Sequence, residues 1–403
     1  MATNVEEIQA KLEDSNEKLE AAKGQISDLK RTIKLSRDAK QTLALQSKVV
    51  LLSEEKNAIS RELKAAVKQH GIYRSLAEEM HAIVSPLDAL PPATDYRNGP
   101  DKTHHETLVM HLSDEHADET VLPHMVGGLE TYNMSVALCR AEKYVDTVLA
   151  FTQKTLANYK FKRLVILSYG DHTSGEIHGG VGHSENRNMF RNALQIGQMQ
   201  ALMIRDLAPY FEEIDILCLP GNHGRRSLKK DYNGPWDNWD YLISEIAKQH
   251  CSNLKNVTFH IPECFSTVTE IEGHNFYIAH GDDIKSWNSI PFYGLERKTR
   301  RLVALHNAMT GTKVKYFVFG HFHMNSVMSD LNCETIINGA WIGTNPYGYE
   351  SFSGYREPSQ LIHGVNAKYG ITWRLHVKLK DEERERLGPQ RYQTVLAAPN
   401  MDM

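Results

Sequence analysis

Apolar residues recur along this chain in two rhythms, and the change of rhythm divides it. Over residues 1–83 they fall at heptad spacing. Val5, Ile8, Leu12, Leu19, Ile26, Leu29 and Ile33 occupy a and d positions, with Ser15 and Ala22 as weak members. Leu45, Val49, Leu52, Ile59 and Leu63 make a second series in a different phase. This predicts helix with a narrow apolar stripe, which cannot be buried without a partner helix. A second copy of the chain is the expected partner, which makes residues 1–83 a coiled coil holding a homo-oligomer. The alternative is a helical hairpin folded on itself or on the main domain. The phase break near Ser36-Arg37-Asp38 is read as a stutter or a turn. A helix-turn-helix there lacks the turn glycine and a clear recognition helix.

Residues 84–104 carry four prolines and few large apolar residues, and are read as a linker. From 105 the rhythm shortens. Strand-length apolar runs alternate with longer helical patterns, the clearest over 135–159 and 188–211, and ITWRLHVKLK reads as a last strand. Alternation of this kind predicts an α/β domain over 105–380. The stretch 381–403, opening DEERERLGPQ, reads as a polar, solvated tail.

Composition narrows the class. The chain has 403 residues, 41% hydrophobic and 24% charged, which suits a globular protein with one large domain and an accessory segment. A net charge of −4 excludes a polycation built for nucleic acid, though a local basic strip suffices to bind one. Cys139, Cys218, Cys251, Cys264 and Cys333 are scattered, with no C-x-x-C pair, which points to reduced thiols and a cytoplasmic location. The start, MATNVEEIQAKLED, lacks a secretory pattern, and no apolar run approaches the ~20 residues needed to cross a bilayer, so no membrane association is expected.

Five of the apolar runs end in residues that bind metals. They are LVMHLSDEH (Asp114, His116), LVILSYGD (Asp171), DILCLPGNH (Asn222, His223), FYIAHGDD (His280) and YFVFGHFH (His321, His323). Strand ends followed by Gly-rich or polar turns are where α/β proteins deliver functional groups. Carboxylate and imidazole donors suit borderline divalent ions, and the absence of cysteine among them argues against a structural zinc cluster. Residues i and i+2 of a strand point the same way, so D-x-H and H-x-H aim both side chains at one point if extended geometry persists to the end of each run.

This ordered set, D-x-H, G-D, G-N-H, a lone His and G-H-x-H, resembles the calcineurin-like metallophosphoesterase superfamily over residues 105–345, nearest in layout to its bacterial and phage DNA-repair exonuclease branch. The resemblance implies a four-layer α-β-β-α sandwich of two mixed sheets, here preceded by the helical segment. It also implies two divalent ions, Mn²⁺ first, with Fe²⁺, Zn²⁺ or Mg²⁺ as alternatives. By position, Asp114, His116 and His323 would bind one ion, Asn222, His280 and His321 the other, and Asp171 both. Such a pair clamps a phosphate and activates a water for in-line attack. His223 would stand at the leaving oxygen. The sequence departs from common patterns at Gly224 and Ser174, where many members carry acids. Glu176 or a backbone carbonyl is then expected to back the His223 ring.

Around these motifs lie possible substrate contacts. The Gly-rich stretch after Asp171, with His172, His178 and His183, is read as a lip over the metals or a surface loop. Arg225, Arg226, Lys229 and Lys230 follow His223 closely and suit a phosphate chain. Trp236, Trp239 and Tyr241 are candidates for base stacking. Arg297, Lys298, Arg300 and Arg301 open a helical pattern and read as a solvated face. The expected activity is phosphodiester cleavage on DNA or another phosphodiester. A phosphomonoesterase or a cyclic-nucleotide or dinucleotide hydrolase is the alternative. An oligomeric scaffold with vestigial chemistry is the reading from another class.

Overall fold

The computed structural model describes residues 2–35, 39–83, 87–91, 104–177, 188–232, 234–285, 291–330 and 332–394. They form two compact units, residues 1–83 and 84–403. The first is helix α1 (Ala2–Leu35) and helix α2 (Ala39–Ile83), which pack on one another. Among the described side chains of α1 the shielded positions are Ser15, Leu19, Ala22, Ile26, Leu29 and Ile33, on the heptad seam, with Ala22 and Ile26 the most buried. On α2 the shielded series includes Leu45, Val49, Leu52, Ile59 and Leu63. Within the chain, each stripe has the other as its partner. This is the hairpin arrangement; the phase break at Ser36-Arg37-Asp38 lies outside the described residues.

The second unit is built on two sheets. The first runs in the order β13 (Gly370–Lys378), β12 (Ser359–Asn366), β2 (Thr107–Leu112), β4 (Arg163–Ser168), β5 (Glu213–Cys218), β6 (Val257–His260). Strands β2, β4, β5 and β6 are parallel, while β12 is antiparallel to both neighbours. The second sheet runs β10 (Ser326–Asp330), β11 (Cys333–Ile337), β9 (Val314–Phe319), β8 (His274–Ala279), β7 (Ser266–Ile271), with β8, β9 and β11 parallel. Two short strands, β1 (His104–His105) and β3 (Tyr159–Lys160), pair separately.

Alternation along the strands makes the layers. Val109, Val165, Leu167 and Leu217 of the first sheet share one core with Phe276, Ile278, Tyr316, Val318 and Ile336 of the second. The two sheets therefore pack face to face. The opposite set of the first sheet, including Leu108, Met110, Leu164, Ile166 and Ile214, is equally buried. Three helices belong to that side: α3 (Met134–Ala150), the almost wholly buried α4 (Met189–Leu207) and α5 (Trp239–His250). Beyond the second sheet, Phe317 and Phe319 pack with Leu295 of helix α6 (Phe292–Met309). The result is the expected α-β-β-α order of two mixed sheets.

Boundaries differ from the sequence reading in two places. The helix expected over 135–159 ends at Ala150, followed by one wider turn, Phe151–Thr155, and Tyr159 enters β3. The tail expected to be solvated from 381 is docked as far as Thr394. Helix α8 (Glu382–Leu387) starts on an Asp381 cap, and Glu385 accepts from the buried Arg140 at 2.8 Å. Tyr392 is buried, its N–H donating to Glu142 (2.8 Å) and its hydroxyl to Asp206 (3.1 Å). Glu385 thus meets a buried counter-charge, which composition does not disclose. Residues 84–86 and 92–103 of the linker and 395–403 lie outside the described residues.

Candidate metal centre

The seven candidate ligands stand just past the carboxyl ends of five parallel strands, β2, β4 and β5 in one sheet and β8 and β9 in the other. Backbone bonds lace these ends together: Asp114 N–H to Gly170 O (3.0 Å), His116 N–H to Asp171 O (3.1 Å) and Gly320 N–H to His280 O (2.8 Å). The strands stop before the ligands, so extended geometry does not persist as the D-x-H and H-x-H spacings suggested. Asp114, His116, Asp171, His321 and His323 all have φ between 44° and 67°, the left-handed region. For non-glycine residues this costs of order 1–3 kcal/mol each and gathers at functional sites. From this geometry Asp114 and His116, and His321 and His323, bring their side chains to the same centre. Gly170 and Gly221 let the loops touch, since a Cβ on Gly170 would run into the Gly221 backbone.

The side chains converge in three overlapping groups. One ligand atom each from Asp114, His116 and His323 lie within 4.8 Å of one another, as do those of Asp171, His280 and His321, and those of His116, Asp171 and His223. His116 Nε2 is 3.2 Å from His323 Nε2, and His323 Nε2 is 3.4 Å from Asp114 Oδ1. His280 Nε2 lies 2.9 Å from Asp171 Oδ2 and 3.1 Å from Asn222 Oδ1. Donor pairs at these separations subtend roughly 90–110° at an ion about 2.1 Å from each. The set therefore fits divalent ions, with Asp171 between the groups.

The electrostatics of the rings divide, with His116 and His321 pushed down and His280 and His323 pushed up. Burial, then His223 and His323, hold His116 well below the ordinary imidazole value, so its ring is neutral. Burial, then His280, push His321 down to about 4. Burial raises the Asp171 carboxyl, but His280 and then His223 outweigh it and hold it well below the carboxylate range. Burial also opposes charge on His280, yet the Asp171 carboxylate lifts it to about 10. An ion taking that nitrogen displaces its proton.

Outer groups fix several of the candidate ligands. His280 Nδ1–H donates to Tyr169 O (2.9 Å), leaving Nε2 for the centre. Asp114 accepts from Ser113 Oγ (2.6 Å) and from His321 N–H (2.9 Å), and Ser113 is held by Asn338 and Gln360. Asp240 is the largest omission from the sequence reading. Its buried carboxylate accepts from the N–H groups of Asp171 (2.9 Å), His172 (3.1 Å) and Gly221 (2.9 Å), tying the G-D and G-N-H loops together. Its only sequence signal is the N-x-D start of a helix, where Asn238 caps α5 by accepting from Asp240 N–H.

His223 Nδ1–H donates to the carbonyl of Ser174 (3.0 Å), and its ring stands edge-on to His116 with centroids 4.8 Å apart. The backbone carbonyl, not Glu176, supports this ring. Glu176 instead accepts from Trp239 Nε1 at 3.3 Å. Gly224 has a local reason: a Cβ there would collide with Asn238 and approach the Asp240 carboxylate. His172 does not belong to a lip. It is fully buried, 2.6 Å from Glu115 and 2.8 Å from Ser168 Oγ. That Ser-His-Glu constellation has no access to a substrate, as all three side chains are buried.

The basic strip is partly neutralised. Lys230 pairs with Asp282 (2.9 Å) and lies 4.4 Å from the Phe265 ring, and Arg226 pairs with Asp237 (3.1 Å). Arg225 is anchored beside the ligand loop, its Nε donating to Asn222 O (3.0 Å). Lys229 is exposed. Of the proposed stacking residues Trp239 is buried, Tyr241 half-buried and Trp236 exposed. His178 and His183 lie outside the described residues. In the second cluster Lys298 pairs with Asp283 and Arg300 with Asp330.

No protein-family description and no curated protein matches the sequence. Among solved structures, a single-mutant Vps29 from Entamoeba histolytica is similar at 10% identity and a TM-score of 0.29, over 67% of this chain and 99% of that one. An archaeal phosphodiesterase is similar at 12% identity and 0.30, over 67% and 99%. A hypothetical protein from Pyrococcus horikoshii is similar at 10% identity and 0.35, over 70% and 92%. Among the described residues no helix is long and apolar enough to cross a membrane.

Proposed function

We propose that the chain is a two-metal phosphoester hydrolase that cleaves phosphodiesters, with nucleic acid as the substrate class. The observation that carries this reading is the pair of ligand groups meeting at Asp171, with His223 beside them. Asp114, His116 and His323 would hold one divalent ion and Asn222, His280 and His321 the other, Mn²⁺ being the first ion to test. Bound ions of this kind supply charge for the phosphate oxygens and lower the pKa of attacking water. Asp171 accepts from His223 N–H at 2.8 Å and so keeps the two in register. With Nδ1–H spent on Ser174 O, His223 presents Nε2 to the leaving oxygen, where it gives up or shares a proton. Arg225, fixed on the carbonyl of Asn222, adds a cation for a neighbouring phosphate. The exposed Trp236 offers a stacking face nearby in sequence.

The test is hydrolysis of bis-p-nitrophenyl phosphate against the monoester with added Mn²⁺. Diester preference supports the reading, and monoester preference moves it to the phosphomonoesterase alternative. His223→Ala is expected to lower kcat about 10²–10⁴-fold, and Asp171→Asn to remove activity. Rates like wild type in both variants rule out catalysis at this centre and leave the scaffold reading.

A further inference from the structure

Ser174 contacts more of the centre than its place in a loop suggests. It stands three residues past Asp171 and is almost fully buried. Its carbonyl accepts from His223 Nδ1–H (3.0 Å), and its N–H donates to Asp118 Oδ1 (2.7 Å). Its hydroxyl lies 3.1 Å from His116 Nδ1 and donates to Glu119 Oε2 at 2.7 Å. A hydroxyl has one proton. With that proton given to the Glu119 carboxylate, Ser174 Oγ can only accept from His116, so the imidazole proton sits on Nδ1. His116 Nε2 is then a bare lone pair facing Asp114 and His323. Glu119 is itself held, its other oxygen accepting from Asn345 Nδ2 (2.8 Å). Asn345 also caps helix α7 (Pro346–Phe352) by accepting from Gly348 N–H.

We infer that Glu119 and Ser174 form a hydroxyl-mediated carboxylate–histidine relay that sets the tautomer and donor strength of His116, while the carbonyl of Ser174 aims His223. One residue thus couples ion binding to the position of the group at the leaving oxygen. Neither is a catalytic residue: both are positioning residues acting through the two rings. The inference rests on the metal-centre reading. A carboxylate behind a ligating imidazole is the arrangement whose loss typically weakens metal binding 10–100-fold. Here the carboxylate acts through one intervening oxygen, and so depends on it.

The relay is tested on the full chain by calorimetric titration with Mn²⁺, with thermal melts to verify folding. Ser174→Ala and Glu119→Gln are each expected to weaken one of the two ion sites roughly tenfold. Because Glu119 reaches His116 only through Ser174, the double variant is expected to bind like Ser174→Ala alone. Ser174→Thr, which keeps the hydroxyl, is expected to restore binding. Wild-type affinity in both single variants overturns the relay while leaving the centre intact. So do losses that add in the double variant, since two independent effects are additive. A wild-type chain that binds no Mn²⁺ overturns the metal-centre reading and the relay together.

Discussion

Asp240 shows how much one side chain holds in this centre. Its carboxylate accepts three buried backbone N–H groups from two different loops. Asp240→Ala leaves those donors unpaired, at about 1–3 kcal/mol each. The expected outcome is a loss of several kcal/mol in urea unfolding together with weaker Mn²⁺ binding; a variant as stable as wild type would show that the loops hold without it. A second residue-scale expectation concerns pH. His111 lies 2.7 Å from Tyr169 OH and 3.1 Å from His363, both rings buried between the sheets. Burial pushes His111 down to about 3 and His363 well below its ordinary value. Both stay neutral in the fold, whereas in the unfolded chain they charge near pH 6.5. Their stabilisation is therefore complete above pH 6.5 and declines as the pH falls toward 3, by up to about 1.4 kcal/mol per group per pH unit. Melting temperatures between pH 7 and 5 are expected to fall, with a shallower slope in His363→Asn. A flat wild-type profile contradicts this.

At the scale of elements, the strands were legible because each buried run is short, apolar and stopped by a polar turn. The candidate ligands could be placed at the ends of β2, β4, β5, β8 and β9 for the same reason, since donor residues sit where the rhythm stops. The left-handed geometry of Asp114, His116, Asp171, His321 and His323 could not, because it is imposed by contacts between loops from separate strands. The C-terminal segment shows the same limit. DEERERL looks solvated by composition, yet Glu385 completes a buried pair with Arg140, and Tyr392 fills a slot against α3 and α4. Tyr392→Ala is expected to cost about 3 kcal/mol, the scale for emptying a large buried aromatic site. Chemical unfolding measures it, and a change below a tenth of that would mean the segment is not a working part of the domain.

For the whole molecule, the two units carry separate interiors. Residues 84–403 are therefore expected to fold and to bind Mn²⁺ without the hairpin. The hairpin seam is narrow, and α2 still exposes Leu43 (66%), Val50 (56%) and Leu51 (65%) after α1 has packed on it. A second copy covering that face is the expected outcome, giving a light-scattering mass that is a multiple of 45.8 kDa, lost on deletion of residues 1–83. A full-length mass of 45.8 kDa removes the homo-oligomer.

The order of apolar runs and the residue types at their ends determined the α/β class, the helical first segment and the identity of the candidate ligands. These are local properties: burial rhythm and donor chemistry are written residue by residue. Tertiary structure alone decided that each heptad stripe has its partner in the same chain, that a carbonyl supports His223, and that Asp240, Ser174 and Glu119 stand behind the centre. Those assignments are contacts between groups dozens of residues apart. A hydrogen bond depends on distance and direction in space, and neither is encoded by spacing along the chain.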